Sequence, residues 1–136
     1  MRKTWKTMLW RALQHVKKGF YIDMGAYFSD KDSVTKLFFV FAWCGVNVEP
    51  NSEYHTELTK KQPRDKSFRF VLSNKSGLTE INILNFAESN LSTGLSTLDR
   101  DLATKHVTAS YLMKTDRVES LTLDKLIKKH ITVSQE

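Results

Sequence analysis

With 136 residues, 40% of them hydrophobic and 11% aromatic, the chain can close one hydrophobic core, and its composition excludes a disordered protein. The formal net charge is +6, and residues 1–18 supply all of it through Arg2, Lys3, Lys6, Arg11, Lys17 and Lys18, with no acid among them. The remaining body is neutral, which argues against a nucleic-acid partner, and no apolar run reaches the ~20 residues that cross a bilayer, so a cytoplasmic location is expected.

Trp5, Met8, Leu9, Ala12, Leu13 and Val16 recur at helical spacing and predict an amphipathic helix over residues 4–18 with a basic outer face. The expected arrangement packs the apolar stripe across a sheet edge and leaves Lys and Arg in solvent. A helix lying on an anionic membrane surface and a cleavable organelle signal are the alternatives. Phe20, Tyr21 and Ile22 then form a short β-rich run that meets Asp23 and Gly25-Ala26, two residues small enough for a ligand to lie against the backbone.

Between Asp32 and Trp43, the positions of Val34, Leu37, Phe38 and Phe41 predict a helix with one apolar face, with Ser33 and Thr35 as capping residues. Cys44, the single cysteine, sits at the next junction and reads as a buried structural thiol. A second strand over 45–48 ends in Glu49. Strand, tight turn, helix, strand and acid make the first βαβ unit of a nucleotide-type site, with Asp23 and Glu49 at one sheet edge. From spacing alone the two acids either bind a ligand or cap strand ends by bonding loop amides.

Asn51 caps a third helix that runs to Lys61, and Pro63 stops it. Phe68 to Leu72 alternates as a third strand ending at Ser73-Asn74, and Thr79 to Phe86 alternates again, so a hairpin from the third strand into a fourth is expected. Residues 88–94 are loop-like. Ser96 with Asp99 resembles a capping box opening a helix over 97–106. Tyr111 to Val118 is a weaker strand signal, and Thr122 caps a last helix that turns Leu123, Leu126 and Ile127 inward. His15, His55, His106 and His130 share no metal-ligand spacing with one another or with Cys44, so no metal is assigned.

These motifs also carry a family resemblance. Gly-Phe-Tyr-Ile-Asp-Met-Gly-Ala from Gly19, Asp-Ser-Val-Thr-Lys-Leu-Phe from Asp32 and Trp-Cys-Gly-Val-Asn-Val-Glu-Pro-Asn from Trp43 resemble the opening of the FkbM methyltransferases. Val71 to Gly77, Thr93 to Asp99 and Leu121 to Asp124 continue the likeness in the family's order. The resemblance implies an α/β, Rossmann-like class I methyltransferase fold, with a partial parallel sheet and an added antiparallel hairpin. It also implies the cofactor S-adenosyl-L-methionine and a sugar or small hydroxylated metabolite as acceptor, without identifying a catalytic base. By that likeness, Asp23, Gly25 and Ala26 wrap the methionine part of the cofactor, Glu49 holds its ribose, and Ser73 and Asn74 border its adenine.

Two departures stand out. Tyr27-Phe28-Ser29 replaces the family's usual turn after Gly-Ala, and nothing like the strand that normally follows Leu123-Asp124 appears before Glu136. The expected organisation is a basic helix over 1–18 followed by a methyltransferase-like domain over 19–136 that is incomplete at its C-terminus. An incomplete sheet would leave an open edge beside the first strand and favour self-association; a non-catalytic cofactor-binding or interaction module is the alternative function.

Overall fold

Three parallel strands carry the first half of the chain. The computed structural model describes residues 5–26, 35–86, 98–106 and 111–131, and it divides into two units, Met1–Phe68 and Arg69–Glu136. In the first unit, α1 (Trp5–Leu13) precedes β1 (Phe20–Met24), α2 (Lys36–Val40), β2 (Cys44–Val48), α3 (Ser52–Lys61) and β3 (Lys66–Phe68). The sheet order is β1-β2-β3, parallel throughout, with Phe20 opposite Cys44, Asp23 opposite Asn47 and Val48 opposite Phe68. Val46, Asn47 and Val48 of the central strand are all buried, as expected for a parallel strand covered on both faces.

Aromatic packing fixes the crossover. Trp10 of α1 stacks on Phe41 with ring centroids 4.2 Å apart and meets Phe38 at 5.8 Å. The helix predicted over 32–43 is shorter at its C-terminal end, because the chain leaves it through a left-handed residue, Ala42, at φ 68°. Trp43 N–H bonds the Phe38 carbonyl at 3.0 Å and Ala42 N–H that of Phe39 at 3.1 Å. This is a Schellman motif, and the rings of Trp43 and Phe38, 4.7 Å apart, supply its apolar contact. Residues 32–34, including Ser33, lie outside the described residues.

Cys44 is exposed rather than buried. It opens β2 opposite Phe20, which is itself 51% exposed. The helical stripe expected to pack inward from α1 does the reverse at Met8 and Leu9, which are 62% and 38% exposed. Trp10 makes the aromatic packing instead, because its ring reaches both Phe38 and Phe41.

In the second unit, the chain forms β4 (Phe70–Leu72), β5 (Gly77–Phe86), α4 (Arg100–His106), β6 (Tyr111–Leu121) and α5 (Leu123–His130). The single strand expected over 68–72 is therefore two short strands in different sheets, interrupted at Arg69, whose side chain pairs with Asp116 of β6. The expected antiparallel partner also changes. β6 lies between β4 and β5, parallel to the first and antiparallel to the second, so β5 does not pair with the strand before it.

That register places Val71, Ile81, Ile83 and Val118 on one face, where they form a buried apolar cluster. Asp99 caps α4, since its Oδ1 accepts from the amides of Asp101 and Leu102 at 2.9 and 3.1 Å; Ser96, the other member of the expected capping box, lies outside the described residues. In α5, Thr122 Oγ1 accepts from Lys125 N–H at 3.2 Å as predicted, yet only Leu126 is buried, while Leu123 and Ile127 remain exposed.

Ala42 occupies the position that Schellman motifs reserve for glycine, since a β-carbon in the left-handed region crowds the carbonyl that follows. Ala42→Gly is expected to raise the stability measured by chemical denaturation by about 1 kcal/mol.

Candidate functional site

The carboxyl ends of β1 and β2 close on each other through a single carbonyl. After Met24 the chain turns at Gly25 (φ 73°), and the N–H groups of Gly25 and Ala26 both donate to Val48 O, at 2.8 and 3.3 Å. A β-carbon at Gly25 would meet no atom of the described residues within 4 Å. Glycine is thus required here for its conformation, and the space beside its α-carbon is open. Ala26 is buried beneath the turn.

Asp23 stands two residues before the turn. Its carboxylate accepts from the Thr35 hydroxyl at 2.6 Å, so Thr35 does not cap α2 with its side chain as predicted. The helix start is spent on positioning an acid. Burial pushes the Asp23 carboxyl above the usual carboxylate range, the negative charge of Asp65 pushes it further, and the Thr35 bond opposes both.

Glu49 follows β2 directly and is only 6% exposed. Its backbone N–H donates to Phe68 O at 3.0 Å, and its Oε1 accepts from Asn51 N–H at 2.9 Å. Asn51 in turn caps α3 by accepting from Glu53 N–H at 3.0 Å. The carboxylate therefore sits at the start of α3, where the helix dipole favours negative charge. Asp23, Gly25, Ala26 and Glu49 come together at one end of the first sheet. Ser73 and Asn74 belong to the second unit, where Ser73 N–H bonds Leu121 O at 3.0 Å and its hydroxyl donates to Asn74 Oδ1 at 3.3 Å.

One polar cluster beside these acids escaped the sequence reading. Tyr21, Asp23, Asn47 and Ser67 share one face of the sheet by register. Asp65, in the loop after α3, accepts from the Tyr21 hydroxyl, from Gly45 N–H at 3.0 Å and from Asn47 Nδ2 at 3.0 Å. Asn47 Nδ2 also donates to Gln62 Oε1 at 3.1 Å. Burial, with donation to Asp65, raises the Tyr21 hydroxyl far above its ordinary value and keeps it protonated. The sequence signal for Asn47 was present, since an amide between Val46 and Val48 in a buried strand demands a partner. Asp65 has no local signature. Among the described residues no group of three or more His, Cys, Asp or Glu side chains is placed to hold a metal, and no helix is long and apolar enough to cross a membrane.

The model of the methyltransferase FkbM domain matches residues 23–135. The chain belongs to the FkbM methyltransferase family. Comparison with curated proteins and with solved structures gives no match. The FkbM match begins at Asp23, takes in both acids and the glycine turn, and assigns the parallel sheet with its crossover to a Rossmann-like methyltransferase fold.

Asp23 makes the site's electrostatics measurable. Its folded-state value lies above that of the unfolded chain, so its ionised form costs stability at neutral pH and above, and the cost fades as acid protonates the folded protein. Asp23→Asn keeps an acceptor for Thr35. Its melting temperature should match or exceed that of the wild type by a few degrees at about pH 8, and this advantage should shrink toward about pH 4. A constant difference across the range would remove the buried charge as its cause.

Proposed function

We propose that this methyltransferase takes its methyl group from S-adenosyl-L-methionine held at the carboxyl ends of β1 and β2, and delivers it to a hydroxyl of a sugar or small metabolite. The observation that carries the donor site is the Gly25 turn, open above its α-carbon and flanked by acids on adjacent parallel strands. Ligands of open α/β sheets sit beyond the carboxyl strand ends, and this donor carries an amino group and a ribose diol, both hydrogen-bond donors that suit carboxylates. The residues present fit it on that chemistry. The acceptor class rests on the family resemblance of the motifs.

When bound, the donor would supply a sulfonium methyl group: the acceptor oxygen would bond to its carbon in line as the carbon–sulfur bond breaks, the neutral thioether keeping the electron pair and the hydroxyl proton passing to solvent. The chain's part is positioning and exclusion of water, which together can remove a large share of such a barrier. Gly25 and Ala26 give the ligand a close backbone wall. Asp23, fixed by Thr35, faces its amino end. Glu49, which follows β2 directly at the same end of the sheet, accepts from the ribose, whose hydroxyls are hydrogen-bond donors that a carboxylate suits.

Calorimetric titration with the donor and with its demethylated product tests the site. Glu49→Gln should weaken both by about 1.5–3 kcal/mol, the value of a hydrogen bond to a charged group. Equal affinity in the two proteins would take Glu49 out of the site. Labelled-methyl transfer to a panel of sugars and hydroxylated metabolites tests the acceptor class, and donor binding without transfer to any of them would favour a binding module.

A further inference from the structure

We infer that α1 is a docking face for an anionic lipid surface, with Met8, Leu9 and Ala12 entering the headgroup boundary while Lys6 and Arg11 flank them. The orientation of the helix is the decisive observation. Trp10 turns toward Phe38 and Phe41, leaving Met8, Leu9 and Ala12 exposed on the opposite side. A solvent-facing apolar stripe on a nine-residue helix is costly in water unless something covers it.

Charge identifies the cover. Residues three apart are neighbours on a helix surface, so Arg11 borders Met8 on one side of the stripe and Lys6 borders Leu9 on the other. Lys17 and Lys18 extend the cationic rim just beyond the helix, and residues 1–18 contain no acid to offset it. An apolar stripe rimmed by cations is the pattern of a helix lying in a negatively charged interface, where acyl contact and lipid charge act together. A protein partner or nucleic acid fits less well, since the first would not need the cations and the second would not need Met8 and Leu9.

The experiment is co-sedimentation of the full chain with phosphatidylcholine vesicles, with and without phosphatidylserine, over a salt series. Binding is expected only to the anionic vesicles and should weaken as salt rises. Each neutralised cation, Lys6→Gln or Arg11→Gln, should lower partitioning about fivefold. Met8→Ser with Leu9→Ser should lower it about tenfold or more. Because Met8 is 62% exposed, Met8→Ser alone should keep the wild-type melting temperature and still weaken partitioning. Absence of binding to anionic vesicles overturns the inference, as does binding unchanged by the Met8→Ser, Leu9→Ser pair. A wild-type chain that is dimeric by light scattering and becomes monomeric in the same pair would show that a second copy covers the stripe, and would overturn it as well.

Discussion

One carboxylate, that of Asp65, holds the first sheet to its crossover. It receives a phenol from β1, a backbone amide from β2 and a side-chain amide from the same central strand, so without it the Tyr21 and Gly45 donors would lose this acceptor and Asn47 Nδ2 would keep only Gln62 Oε1. Hydrogen bonds to a charged acceptor stabilise by about 1.5–3 kcal/mol each, and stranding buried donors adds a desolvation penalty. Gly45 makes this convergence possible: a β-carbon there would stand 2.2 Å from Tyr21 O, so any other residue would push the two strands apart. The negative charge of Asp65 is also felt at Asp23, which joins the support of the sheet to the acid at its end.

The same economy runs through the site. Thr35 serves the Asp23 carboxylate, and Glu49 both bonds the Asn51 amide and ends the strand next to the glycine turn. An acid whose ionised form is penalised by burial persists where a ligand group can repay that penalty, a trade commonly seen at functional sites. The polar face of Tyr21, Asp23, Asn47 and Ser67 is unusual for a parallel sheet; the loop carrying Asp65 bonds Tyr21 and Asn47, and Thr35 holds Asp23.

Much of this was legible in the sequence wherever local pattern decided the outcome. The glycine turn after Asp23, the caps at Asn51 and Thr122 and the acid after β2 rest on residues within a few positions of one another, and the structure places each as expected. What failed depended on distant partners. Periodicity found the stripe on α1 but not which side of the helix faced inward, because Trp10 finds its partners in Phe38 and Phe41, far along the chain. Alternation found β5 but not its neighbour, since β6 is separated from it by α4 and pairs with strands on either side. Asp65 was invisible for the same reason: nothing in its own loop announces bonds to residues on two strands. The family motifs named the fold where pattern could not, because they record an order of elements rather than the partners of each.

The strand order of the second unit bears on how the protein is made. In the first unit each described strand pairs with the one that follows it, so all three have their partners once Phe68 has left the ribosome. In the second, β6 is the central one of the three described strands and is made after the other two, so β4 and β5 wait for that partner until residue 121 emerges. Loops closed between strands distant in sequence fold slowly, and waiting apolar strands are open to wrong pairing. A nascent chain would therefore carry Val71, Ile81 and Ile83 without the strand that covers them after the first unit can form, which makes this half the slower to commit to its pairing.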